Sequence, residues 1–88
     1  MKNLEISDIF NKMADLLEIK SENPFRIRAY RKAAFNMESL GKDAALMSKE
    51  ELMEVPGIGG DLAGKIEEYV ATGRIEAYER LKEEVKTE

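Results

Sequence analysis

Apolar residues along this chain recur three and four positions apart. Ile9, Met13, Leu16 and Leu17 share one helical face. Ser7 or Asp8 is placed to cap a first helix running over about 7–20. Asn23 followed by Pro24 is a start signal, because asparagine caps well and proline suits the first helical position. The second helix is expected over 24–40, with Ile27, Tyr30, Ala34 and Met37 as its apolar stripe and Gly41 as a left-handed residue at its end. Residues 41–47 read as a loop. Ser48 and Glu51 have the spacing of a capping box, before a short helix over 49–54 that Pro56 halts. Leu62, Ala63, Ile66, Tyr69 and Val70 mark a fourth helix over 61–72, closed by Gly73. Ile75, Tyr78, Leu81 and Val85 mark a fifth over 75–85, after which the last residues should fray. No stretch alternates with period two, so no sheet is expected. The pattern predicts an all-α, compact bundle of four to five short helices forming one domain over 1–88.

Composition narrows the chemistry. A chain of 88 residues has little room for a deep catalytic cleft. With 43% apolar and 36% charged residues it reads as globular, not disordered. Cysteine and histidine are absent, which removes disulfides, thiolate nucleophiles, the usual zinc sites and histidine acid–base catalysis. Any chemistry must come from Lys, Tyr, Asp, Glu or the backbone, and no organic cofactor is expected. No apolar run is long enough to span a bilayer and the start lacks a signal-peptide pattern, so a cytoplasmic location without membrane association is expected. The net charge is −4, yet Lys20, Arg26, Arg28, Arg31 and Lys32 face only Glu22 between positions 20 and 34. Such a basic patch on an acidic body can dock on phosphate.

The most informative stretch is Leu52-Met53-Glu54-Val55-Pro56-Gly57-Ile58-Gly59-Gly60-Asp61-Leu62-Ala63-Gly64-Lys65-Ile66. Two glycines bracket an isoleucine between a short helix and a longer one. Gly57 and Gly59 can adopt backbone angles other residues resist, and without side chains they admit a foreign backbone. Ile58 is expected to tuck inward and pin the turn. The amides at the start of the following helix would then point outward at the positive end of its dipole, ready for an anion such as a phosphate. Such contacts carry no sequence information. A bare Gly-x-Gly would only shape a tight turn. Here Val55, Pro56, Ile58, Ala63 and Ile66 also fit the helix-hairpin-helix pattern, so Gly57, Ile58, Gly59 and Gly60 are read as DNA-binding.

With those residues in view, the chain resembles the amino-terminal domain of family X DNA polymerases, the lyase-type domain of DNA polymerase beta-like enzymes, in the style of bacterial and archaeal members. The stretch Asn23 to Ala34 resembles the second-helix signature, Val55 to Gly59 the hairpin, and Lys65 to Arg74 the helix and exit after it; the likeness spans about 9–85. It implies a role in DNA repair, base excision repair in particular, gripping the 5′-phosphate side of gapped or nicked DNA. Arg26 and Tyr30 occupy two of the family's phosphate-holding positions. The resemblance also implies a monovalent cation, Na+ or K+, held at the hairpin by the backbone carbonyls of Met53, Val55 and Ile58 when DNA is bound. In lyase-active members a lysine attacks the sugar aldehyde of an abasic site, and Lys65 stands at that position. The chemistry requires a neutral amine. Here the chain departs from the family. Asp61 replaces a lysine one turn before Lys65, Ala77 replaces another, and Phe25 stands where a histidine is usual. Asp61 and Lys65 have the spacing of a surface ion pair.

Arg28, Arg31 and Lys32 are candidate DNA contacts or a solvated helix face. Tyr30 lies on the apolar stripe, and its hydroxyl can still reach the surface. The acidic run from Glu76 to Glu88 reads as a solvated face or one that opposes a partner. The clustered aspartates of a polymerase site are absent, so the chain is expected either as the N-terminal domain of a longer polymerase, with a polymerase domain C-terminal to it, or as a stand-alone relative. The reading is a non-sequence-specific DNA-binding module that alone is not a polymerase. The alternatives are a deoxyribose-phosphate lyase using Lys65 and a protein-interaction module.

Overall fold

The computed structural model describes residues 1–86. Helix α1 runs Asn3–Ile19, α2 Pro24–Glu38, α3 Lys49–Met53, α4 Gly60–Thr72 and α5 Glu76–Lys86, with a 3-10 turn at Ala44–Leu46 between α2 and α3. There is no strand among the described residues. The expected fraying of the final residues, and the end of the acidic run at Glu88, lie outside them.

Most boundaries follow local chemistry. The side chain of Asn23 accepts from the Phe25 amide at 2.8 Å while Pro24 occupies the first turn of α2. The capping box at α3 is complete: the Glu51 amide donates to Ser48 Oγ at 3.1 Å, and the Ser48 amide donates to Glu51 Oε1 at 2.9 Å. Lys42 and the Ser48 amide together hold the Glu51 carboxyl below the usual carboxylate range. Gly73 closes α4 in the left-handed conformation at φ +79°.

Three expectations are corrected. Helix α1 starts a full turn earlier than Ser7, because Ile6 extends the apolar stripe and both it and Phe10 are fully buried. Ser7 is no cap: its hydroxyl donates to the Ala34 carbonyl at 2.7 Å inside the α1–α2 seam. Helix α2 ends at Glu38, not Leu40, and Gly41 is not left-handed; the residues of positive φ among those described are Ser21, Gly57 and Gly73. Ser39 takes over the helix end, its hydroxyl returning to the Phe35 carbonyl at 2.8 Å. Finally, the loop over 41–47 is partly ordered as the 3-10 turn, capped by Asp43 onto the Ala45 amide.

The long helices α1 and α2 form an antiparallel pair, and the remaining elements close over it. Phe10 of α1 meets Tyr30 of α2 edge-on, with ring centroids 5.7 Å apart and planes at 71°. Leu52, Ile58, Ala63 and Ile66 carry the α3–α4 unit into the same core. Ile75 and Leu81 anchor the last helix. The amide of Asn3 clamps the start of α1 to the connection before α3: Nδ2 donates to the Lys42 carbonyl at 2.7 Å, and Oδ1 accepts from the Ala44 amide at 2.9 Å. Tyr69 ties α4 to α1 by donating to Glu5 at 2.6 Å, and that acceptor is the main reason its phenol holds its proton above the ordinary tyrosine range. No helix among the described residues is long and apolar enough to cross a membrane.

Candidate functional site

The turn between α3 and α4 is built from a short run of backbone bonds. The Glu54 amide donates to Glu51, Val55 to Leu52 and Ile58 to Val55, each at 3.0–3.1 Å. Gly57 sits at φ +86°, the region that side chains avoid. Ile58 is buried, as expected, and pins the turn from within. Gly59 differs from the expectation. At φ −91°, ψ −171° it is extended backbone open to any residue, and it serves as the N-cap of α4 without a capping side chain. A side chain there would meet nothing within 4 Å.

This cap leaves α4 open at its start. The Ala63 amide returns to the Gly59 carbonyl at 2.9 Å, but the amides of Gly60, Asp61 and Leu62 find no acceptor among the described residues. They lie at the positive end of a 13-residue helix. The arrangement can hold an anion in front of the turn.

Helix α2 braces this turn from behind. The Asn36 side chain donates to the Pro56 carbonyl at 2.6 Å. The aliphatic stem of Lys32 lies against Gly57, so a Cβ there would come within 3.1 Å of Lys32 Cγ. Lys32 is thus the basic residue that the fold delivers to the hairpin. Asn36 was missed by sequence reasoning. Its signal was its place one helical turn after Lys32, on the same face of α2.

The other predicted residues go to different places. Arg26 and Tyr30 share a face of α2, one turn apart. Arg26 is half-exposed and pairs loosely with Glu22 at 3.7 Å. The Tyr30 ring is core. Its hydroxyl has no protein partner, yet no wholly buried side-chain oxygen among the described residues lacks one, so the hydroxyl keeps contact with solvent. Arg28 stays outside, its guanidinium 4.8 Å from the centre of the exposed Phe25 ring. Arg31 is taken into the α1–α2 seam: it donates to the Asn11 carbonyl at 3.2 Å, to Asp15 at 2.7 Å and to Glu18 at 2.6 Å. Those two carboxylates, Glu18 first, push its guanidinium further into the charged state.

Lys65 lies on α4 one turn after Asp61, and its Nζ donates to Asp61 Oδ1 at 2.8 Å. The lysine side chain is only 15% exposed, whereas that of Asp61 is 79% exposed. The pair forms as its spacing suggests, with the amine held as a donor.

Two helices joined by this glycine turn, with a buried isoleucine and an open helix start, define the helix-hairpin-helix class of domain. The chain belongs to the helix-hairpin-helix domain family, whose model matches residues 1–75. It is also 33% identical over 85 residues to the DNA polymerase/3′-5′ exonuclease PolX of Bacillus subtilis (strain 168). That likeness takes in 97% of this chain, while the chain spans 15% of the relative's length. The likeness to family X polymerases read from the sequence is borne out.

Proposed function

We propose that the chain is a non-sequence-specific DNA-binding module that grips the phosphate backbone at the hairpin and takes the 5′-phosphate side of a gap or nick at Arg26 and Tyr30. The observation that carries this is the open start of α4: three amides without acceptors, beside a side-chain-free Gly59 and the Lys32 stem. An anion with a backbone of its own fits there, and a nucleic-acid phosphate is such an anion. Arg28 is free to add a contact from the outer face of α2, whereas Arg31 is occupied by α1. The similarity to PolX supports a place in a longer parent chain with a polymerase domain; action in DNA repair of the base-excision kind, in the cytoplasm, is part of the same proposal and is drawn from the family resemblance.

The carbonyls of Met53, Val55 and Ile58 suit a monovalent cation. Those of Met53 and Ile58 accept no hydrogen bond from the described residues, and that of Val55 accepts one, from Ile58. Carbonyl oxygens with unused lone pairs are the donors that hard cations take. A bound Na+ or K+ would supply positive charge toward a phosphate oxygen.

Fluorescence anisotropy on one-nucleotide-gapped DNA at low salt tests the 5′-phosphate assignment. Removing the phosphate is expected to weaken binding about three- to tenfold, and Arg26→Ala to do the same. Applied together, the two changes should cost little more than either alone. Binding indifferent to both would leave only the backbone-binding hairpin.

A second reading, deoxyribose-phosphate lyase, is favoured by the low exposure of Lys65 and opposed by its bond to Asp61. A lysine whose amine is engaged with a carboxylate on its own helix must leave that partner before it can attack a carbonyl. Borohydride trapping on abasic DNA is therefore expected to label the wild type weakly, and Asp61→Asn more strongly. Strong wild-type labelling that Lys65→Ala removes would put the lyase first.

A further inference from the structure

The outer face of α2 carries an exposed stripe. Arg28, Lys32, Phe35 and Ser39 follow one another there at the four- and three-residue steps of one helical face. Phe35 is the unexpected member. Burying a phenyl ring is among the larger gains open to a small fold, yet this one is 70% exposed. It has no aromatic or cationic partner among the described residues, whereas the other exposed phenylalanine, Phe25, is faced by the guanidinium of Arg28. Neither Arg28 nor Lys32 forms an ion pair among the described residues. The one acid of α2, Glu38, flanks the far end of the stripe. The neighbours of Phe35 also tie it to the hairpin. Lys32, one turn earlier, lies along Gly57, and Asn36, next in the chain, donates to the Pro56 carbonyl at 2.6 Å.

An apolar protein surface suits this stripe poorly, because it would cover two cations without neutralising them. A single nucleic-acid strand suits it. Its phosphates answer the cations, and an unpaired base offers the ring a flat face. Bases inside a duplex spend both faces on their neighbours, so pairing withdraws that offer. We infer that Phe35 is a stacking platform for an unpaired nucleobase, with Lys32 and Arg28 holding phosphates of the same strand. The inference rests on the reading of the chain as a DNA-binding module and adds a substrate class to it: a strand with unpaired nucleotides. Every base has a face to stack, so the platform is indifferent to sequence.

The test compares two single strands of equal length and charge, an oligothymidylate and the same sugar-phosphate chain without bases. Wild type and Phe35→Ala are titrated with each by fluorescence anisotropy, and with one-nucleotide-gapped DNA; thermal melts verify folding. The wild type is expected to bind the oligothymidylate about fivefold more tightly than the baseless strand. Phe35→Ala should bind both alike, at the affinity of the wild type for the baseless strand. Stacking releases no counterions, so the two proteins should show the same slope of affinity against salt. The chain contains no tryptophan, so Phe35→Trp supplies a single indole at the platform. Its fluorescence should be quenched by the oligothymidylate and not by the baseless strand. An oligothymidylate affinity untouched by Phe35→Ala, with an unquenched indole, would overturn the platform and turn the ring toward a protein partner, while the hairpin reading stands. Equal weakening on both strands would also overturn it, since the loss would then be independent of the base. If neither strand nor the gapped DNA binds, the DNA reading fails and the platform fails with it.

Discussion

Gly57→Ala is expected to lower stability by about 1–2 kcal/mol, the usual penalty for placing an L side chain in the left-handed region. The new Cβ would also press on Lys32 Cγ at 3.1 Å, so the lysine stem must move off the turn. Urea denaturation reads the first effect. DNA affinity should fall with it, by about tenfold, because a turn that relaxes toward negative φ re-aims the amides of α4. Gly59→Ser should behave in the opposite sense on stability. Its backbone is already in the extended region an N-cap requires, and the site has room for a side chain. Serine there gains up to a few tenths of a kcal/mol over glycine by bonding the second or third amide of the helix. Those are amides the DNA phosphate is proposed to use, so affinity should fall severalfold as stability holds or rises. If Gly59→Ser binds DNA as well as the wild type, the open amides are only a feature of the turn.

Phe10→Ala should be the most destabilising single change in the α1–α2 core, at about 3–5 kcal/mol. The ring is fully buried, and its edge-on contact with Tyr30 is lost along with its area. A domain of this size has about 5–15 kcal/mol in total, so a large share of molecules would unfold on modest warming. The contact also bears on function. Tyr30 owes its fixed ring to Phe10, and its hydroxyl reaches solvent one helical turn from Arg26. Phe10→Leu, which keeps most of the volume, should recover much of the stability while leaving Tyr30 less constrained. Chemical denaturation of the two variants separates these cases: equal losses would mean that the aromatic contact, not the volume, dominates.

What the sequence made legible was chemistry between neighbours in the chain. The capping box of Ser48 and Glu51, the Asn23-Pro24 start, the left-handed Gly73 and the Asp61–Lys65 pair all act within four residues, and all are present in the structure. The start of α1 was not legible, because its determinants are distant: Asn3 is held by Lys42 and Ala44, and Ser7 by Ala34. Serine before an apolar run looks like a cap whether its hydroxyl turns to its own helix or to another. The basic cluster shows the same limit at the site. Arg28, Arg31 and Lys32 are close on one helix, yet Arg28 faces solvent beside Phe25, Arg31 bonds α1, and Lys32 reaches Gly57. Only the packing of α1 and the hairpin on either side of α2 decides which residue goes where.

The central claim is that the first turn of α4 meets DNA phosphate. A heteronuclear NMR titration of the 15N-labelled chain with one-nucleotide-gapped DNA at low salt tests it most directly. The amides of Gly59, Gly60, Asp61 and Leu62 are predicted to shift most, with Gly57 and the Lys32 region following. DNA binding that moves the outer face of α1 or α5 and leaves those amides where they were would contradict it.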